Sequence, residues 1–167
     1  MDKPNLKKME EQFEILTECL AELEVEAQVV PADDTFMLPS LAVPLDTGVD
    51  GYERVMVINY VPLDASLDLI EYTDFIQIYM ELPYDLSRVP DDALMTGLDA
   101  LNRKLPVGQC FTLAPKPGQP YAKMAGMRCM FPSRKGEDVD ESVFIETLLL
   151  FDLSGDAVAQ EFAEWMS

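Results

Sequence analysis

The chain contains no histidine, and among its 167 residues only 12 are lysine or arginine. Without histidine it lacks the commonest general base, the usual catalytic zinc ligands and any serine–histidine or cysteine–histidine nucleophile pair. The phosphate-binding patterns GxGxxG and GxxxxGK[ST] are absent as well. These absences favour a protein that is not an enzyme and that holds neither a metal nor a cofactor.

Acidic residues number 31, which gives a net charge of −19. Nucleic acids and anionic membranes would be repelled, because binding to phosphate depends on clusters of lysine and arginine. A basic protein surface would be attracted, although solubility alone also explains the charge. Apolar residues make up 49% of the chain, so a folded core is expected, and the length suits a single domain spanning residues 1–167.

Cys19, Cys110 and Cys129 are widely spaced and form no CxxC pair, so we expect three core residues and no disulfide framework or zinc site. The apolar runs are too short to cross a bilayer. The N-terminus enters a charged segment directly, without the apolar stretch of a secretory signal. These features predict a cytoplasmic protein.

Three segments have the apolar periodicity of helices. The first runs from Leu6 to Leu23 with steps of three and four residues. The second begins within Ser87–Asp92, buries four leucines and ends near Gly108. The third begins at an Asp138–Glu141 capping box and breaks or kinks at Leu153–Asp156. The expected buried residues of the second and third helices are Leu94, Leu98, Leu101, Leu105, Phe144, Leu148, Phe151, Val158, Phe162 and Trp165.

Between the helices lie short runs that are typical of strands. Pro39 has no amide hydrogen, so Phe36–Val43 is predicted to be an edge or broken strand. The segment from Phe75 to Leu82 alternates with one apolar face. Turn residues at Lys116–Gln119 join the last two runs into a hairpin. The remaining strand segments are Ala27–Val30, Arg54–Val61, Gln109–Ala114 and Tyr121–Phe131.

The elements follow the order α-β-β-β(-β)-α-β-β-α. Short connections favour antiparallel pairing. The sequence therefore predicts an α+β fold with a single antiparallel sheet of five to six strands flanked by helices.

The layout around Asn102, Leu105, Gly108, Phe111 and Tyr121 resembles the YbjN-like bacterial family, small acidic proteins with the fold of type III secretion chaperones. The resemblance implies a secretion-chaperone-like sheet and a homodimer without a cofactor. It also implies a chaperone-like or regulatory function, in which the protein holds or regulates other proteins.

The last strand segment, Tyr121–Phe131, has two partly apolar faces. Such a strand would be covered by its own helices on one side and by a partner on the other. We therefore predict that Met124, Met127, Arg128 and Met130 contribute to a partner or dimer interface. Core packing is the alternative, and the commoner, use of the three methionines. The predicted function is that of a non-enzymatic, acidic homodimer that presents apolar patches to an unidentified polypeptide, for which a basic protein would be a suitable partner.

Two alternatives stay open at this point. Asp46-Thr47-Gly48 matches the signature of dimeric aspartic proteases, in which two aspartates share a proton. In this chain Val49 follows in place of the usual small residue, and the helices do not suit the all-β fold of those proteases, so a polar turn is the better explanation of the segment. The other alternative is a small-molecule-sensing domain with a pocket between sheet and helices.

Overall fold

A computed structural model describes residues 5–34, 37–45, 53–61, 73–113, 118 and 123–166. The observed order α-β-β-β-β-α-β-β-α confirms the predicted α+β fold. The elements are α1 (Leu6–Glu22), β1 (Gln28–Val30), β2 (Ser40–Leu45), β3 (Arg54–Tyr60), β4 (Thr73–Leu82), α2 (Asp91–Asn102), β5 (Gln109–Leu113), β6 (Met124–Arg134) and α3 (Glu141–Met166).

The six strands form one open antiparallel sheet in the order β1-β2-β3-β4-β6-β5. The first four strands are neighbours in chain order. Strand β6 then lies between β4 and β5, so β4 and β5 run in the same direction and α2 connects them. In the last pair, Gln109 lies opposite Arg128 and Leu113 lies opposite Met124.

Contacts divide the chain into two compact units. The first unit comprises residues up to 44, 56–78 and 130–146. Its core includes Phe13 of α1, whose ring centroid lies 5.3 Å from that of Tyr60. The buried Gln12 side chain accepts a hydrogen bond from the backbone N–H of Val139 at 2.9 Å, which ties α1 to the segment before α3.

The second unit comprises residues 45–55, 79–129 and 147 onwards. Tyr84 and Phe162 are buried here, with ring centroids 5.5 Å apart in an edge-to-face arrangement. Gly155 of α3 lies against Met80 of β4, and an added Cβ at Gly155 would come within 2.6 Å of the Met80 methyl carbon. Helix α3 therefore covers the face of β4 that carries Met80.

Strand β4 confirms the predicted alternation. Its even-numbered residues from Ile76 to Leu82 are fully buried, and the odd-numbered residues from Thr73 to Glu81 are half-buried. The leucine stripe of α2 is confirmed for Leu94, Leu98 and Leu101, which are buried. It is wrong for Leu105, which is only half-buried.

For the proline-containing segment, the edge-strand alternative is wrong, whereas the broken-strand alternative agrees with a strand that begins only after Pro39. Strand β2 begins at Ser40, one residue after Pro39, and it lies between β1 and β3. Its own proline, Pro44, is exposed. Pairing with the short strand β1 ends at Ala42, so the missing N–H of Pro44 removes no hydrogen bond to β1.

The predicted start and interruption of the third helix are also wrong. Helix α3 continues through Leu153–Asp156, and the Ser154 hydroxyl donates to the Leu150 carbonyl at 2.8 Å without ending it. The capping side chain is Asp140, which accepts from the Val143 N–H at 3.1 Å. Asp140 immediately precedes the first helical residue, which is where an N-cap must lie.

Two boundaries differ by a few residues. Helix α2 ends at Asn102, so Leu105 lies beyond the helix, after the turn at residues 103 and 104. Strand β6 extends to Arg134, three residues beyond the predicted end at Phe131. The first predicted residues of that strand, 121 and 122, lie outside the described residues.

Candidate interaction surfaces

The four predicted interface residues of β6 lie at very different depths. Met124 is 7% exposed and Met127 is completely buried. Arg128 is exposed, and Met130 is 43% exposed. In the isolated chain, Arg128 and Met130 therefore reach the surface, whereas Met127 contacts its own core. Their participation in an interface stays a prediction.

In the second unit, the Arg128 side chain packs on the Phe111 ring, which in turn packs against the Tyr79 ring; we call this arrangement the ring stack. The Arg128 guanidinium carbon lies 5.2 Å from the Phe111 ring centroid, a cation–π geometry. The Phe111 and Tyr79 ring centroids are 6.2 Å apart. Both rings are half-buried. Tyr79 alternates with the core residue Met80, so the stack lies on the sheet face opposite to α3. We call Tyr79, Glu81, Phe111 and Arg128 the outer sheet surface.

The outer sheet surface carries one fixed polar pair. The Tyr79 hydroxyl donates a hydrogen bond to Glu81 at 3.0 Å. Burial raises the pKa of Tyr79, and the hydrogen bond to the Glu81 carboxylate and its charge raise it further. Tyr79 therefore remains a neutral donor at physiological pH, and a positive group and a negative group stand at opposite ends of the ring stack.

Gly126 shapes this surface. It lies opposite Phe111 in the β5–β6 pair. An added Cβ at Gly126 would lie 3.3 Å from the Phe111 ring and 3.4 Å from a Leu113 methyl carbon. The absence of a side chain at Gly126 thus lets Phe111 and Leu113 pack closely against β6.

The Asn102–Gly108 segment, which contains three of the residues that resemble the YbjN-like family, makes contacts within the folded chain. The Asn102 side chain accepts from the Cys110 N–H at 2.7 Å and donates to the Cys110 carbonyl at 3.0 Å. Gly108 has a φ of +87°, and an added Cβ would lie 2.9 Å from Phe151. Cys110 is buried, and burial raises its pKa to about 12. This thiol is therefore a core group and not a nucleophile. The prediction of three core cysteines is wrong for Cys19 and Cys129, which are only half-buried.

A second surface lies on α3, where three leucines are exposed. Leu149 is 51% exposed, Leu150 is 41% exposed and Leu153 is 62% exposed. With the exposed Ala157 they form what we call the α3 leucine patch. The helical periodicity predicted only the buried side of this helix. The run from Leu148 to Leu153 indicates the exposed side as well, because it contains more apolar residues than one helix face can bury.

Contacts of its inner side hold α3 in place. The Arg54 side chain is 2% exposed and forms an ion pair with Asp156 at 3.3 Å. Near the helix end, an added Cβ at Gly97 of α2 would lie 2.7 Å from the Trp165 ring. Because α3 is anchored along its inner side, the leucine patch is presented on a fixed helix.

A hollow of about 350 Å³ lies beside the start of α2. Lys123 supplies the cation among its described lining residues, and its ammonium already bonds the Val89 carbonyl and the Asp91 carboxylate. Met95, on the rim, is 61% exposed. Asp91, Thr112 and Lys123 are the polar residues of its described lining, and an ion pair joins Lys123 to Asp91. The small-molecule alternative therefore stays a prediction.

The remaining predicted motif, Asp46-Thr47-Gly48, lies outside the described residues. Within the part of the chain that the structure covers, no group of three or more cysteine, aspartate or glutamate residues could hold a metal ion. Among the described helices, none combines the length and the apolarity required to cross a membrane.

Comparison with known proteins gives no relative. No protein-family model matches the chain, and neither a curated protein nor a solved structure matches it. The likeness to the YbjN-like family therefore stays a prediction, and the function has to be argued from the two surfaces.

Proposed function

We propose that this chain is a non-enzymatic, cytoplasmic protein-binding module, chaperone-like or regulatory, that acts as an acidic homodimer. It presents an apolar patch to a polypeptide partner. The outer sheet surface forms the dimer contact in this proposal. The observation that carries it is the Arg128–Phe111–Tyr79 stack.

The composition of the stack supports a protein contact. Aromatic residues and arginine are enriched in the centres of protein interfaces, where they account for much of the binding energy. The Arg128 side chain is already oriented by Phe111, so little side-chain entropy would be lost when a second molecule covers it.

The charges of the outer sheet surface favour a second copy as the occupant. In a twofold symmetric interface, when residue i of one copy contacts residue j of the other copy, residue j of the first copy also contacts residue i of the second. Arg128 lies at one end of the stack and Glu81 at the other. Two copies in antiparallel orientation would therefore place each Arg128 near the partner's Glu81, a self-complementary pairing that tolerates the overall negative charge.

Light scattering at tens of micromolar protein tests this proposal. We expect twice the chain mass of 18.8 kDa for the natural sequence. Arg128→Glu should shift the protein to the monomer mass, because it would place like charges opposite Glu81.

Arg134→Glu is the matched control, since Arg134 is also on β6 and its side chain is 81% exposed. It makes the same charge change away from the ring stack, so the dimer should persist. A monomer mass for the natural chain would refute the dimer, and equal loss in both variants would show that net charge, not the stack, controls assembly.

A further inference from the structure

We infer that the α3 leucine patch binds an amphipathic helix of a partner protein, with leucine-like residues on its contact face and lysine or arginine on its flank. This inference rests on the proposed protein-binding function and specifies its site and its partner's chemistry. It does not depend on the dimer, because the outer sheet surface is a different part of the second unit.

The geometry of the patch fits a helix. Leu149, Leu153 and Ala157 are spaced by four residues and form one ridge, beside which Leu150 lies. The ridge is about 12 Å long, since a helix rises about 1.5 Å per residue. Two turns of a crossing helix can cover this length. The small side chain at Ala157 leaves a notch at the end of the ridge for a larger partner residue.

An extended peptide would fit less well. Strand addition draws its affinity from free backbone groups at a sheet edge. The backbone N–H and carbonyl groups in the middle of α3 bond within the helix, so an extended chain on the patch would gain only side-chain contacts. Helix-in-groove recognition needs nothing more than side chains.

Charge determines which helix fits. Six of the residues in α3 are acidic and none is basic: Glu141, Glu146, Asp152, Asp156, Glu161 and Glu164. Asp152 follows Leu149 by three residues and Asp156 follows Leu153 by three, so each carboxylate neighbours a patch leucine on the helix surface. An acidic margin along an apolar ridge is complementary to an amphipathic helix with a basic flank.

Two cations neighbour these carboxylates. Asp156 pairs with the buried Arg54, and Glu161 pairs with Lys104 at 3.3 Å. The same charge argues against a second copy on the patch. Two facing α3 helices would bring together two acidic helices, neither of which has a basic residue of its own, and like charges held opposite each other are strongly unfavourable.

The test uses a designed peptide of about five helical turns, with leucines at i, i+3, i+4 and i+7 and lysines at the flanking positions. Its affinity for the full chain is measured by fluorescence anisotropy at low and high salt. We expect binding that weakens as salt rises, because exposed charges are screened beyond about 8 Å at physiological ionic strength. A peptide with glutamates in place of the lysines should not bind.

Two matched variants locate the site. Leu153→Gln should weaken peptide binding about tenfold, the effect of losing one buried leucine contact. Met95→Gln is the control, because Met95 is 61% exposed and Leu153 is 62% exposed, and both lie on helices of the second unit. The affinity of the Met95→Gln variant for the peptide should equal that of the natural chain.

Several outcomes would overturn the inference. Equal affinities of the two variants would place the peptide elsewhere while leaving the protein-binding function intact. Equal binding of a scrambled peptide of the same composition would reduce the effect to general charge attraction. Loss of dimer mass in Leu153→Gln would assign the patch to a second copy. Binding of neither peptide, together with a monomer mass for the natural chain, would refute the proposed function itself.

Discussion

Two leucine-containing segments of this chain differ in how far the folded structure uses their side chains. In the Asn102–Gly108 segment, the Asn102 amide is bonded to the Cys110 backbone, and Gly108 lies against Phe151. In the run from Leu148 to Leu153, by contrast, half of the residues remain substantially exposed on a helix that is already anchored on its other side.

The difference separates residues that the fold requires from exposed residues that contribute little to folding. The first segment is distinctive in sequence, but its distinctive residues are explained by local geometry. The second is unremarkable in sequence, but its exposed leucines gain little from folding. A surface that folding does not explain is where a partner is to be sought. The comparison therefore predicts large stability effects in the first segment and binding effects without stability effects in the second.

Gly108→Ala should have the largest effect on stability. Its φ of +87° disfavours any side chain, and the new Cβ would lie 2.9 Å from Phe151. We expect the free energy of unfolding to fall by about 3 kcal/mol, measured by urea unfolding.

Gly136→Ala is the matched control for that variant. Gly136 has a φ of +77°, but nothing lies within 4 Å of an added Cβ. Gly136→Ala should lower the free energy of unfolding by only about 1 kcal/mol, the effect of placing a side chain on a residue with positive φ. Equal losses at the two positions would show that contact with Phe151 contributes nothing.

Asn102→Ala should have an intermediate effect. It removes both hydrogen bonds to Cys110 and leaves a part-buried N–H and carbonyl without the amide. We expect a loss of about 2 kcal/mol in the free energy of unfolding. The neighbouring Arg103→Ala, which removes only an exposed pair with Asp99, should cost about 0.5 kcal/mol or less.

Replacing both Leu149 and Leu153 by glutamine should have the smallest effect on folding. Both side chains are at least half exposed, so each change should alter the free energy of unfolding by about 0.5 kcal/mol or less in urea titrations. A loss as large as that of Asn102→Ala would mean that the leucines contribute to the core, and the contrast between the two segments would disappear.

Much of the fold follows from the sequence, because burial imposes a period on it. The alternation from Phe75 to Leu82 and the leucines at 94, 98 and 101 determine which faces pack inward. The errors occur where tertiary contacts decide. The short strand β1 tolerates Pro44 in β2, and the contact between Gly155 and Met80 holds a continuous helix through a segment with helix-breaking composition.

The candidate surfaces were less accessible to sequence reasoning. Met127 and Arg128 are adjacent on a strand and point to opposite faces, so only the structure shows that one is buried and the other stacks on Phe111. That stack joins residues from two strands and depends on the register of β5 and β6. The α3 leucine patch emerges only after the buried side of the helix is known, because a run of consecutive leucines does not reveal which of them face outward.

The most direct test of the account is a methyl spectrum of the full chain, isotopically labelled at leucine, recorded during titration with the basic amphipathic peptide. The account predicts that the signals of Leu149, Leu150 and Leu153 shift progressively, while those of the buried Leu94 and Leu98 stay in place. Shifts confined to Leu113, or unchanged signals of the three α3 leucines at saturating peptide, would contradict it.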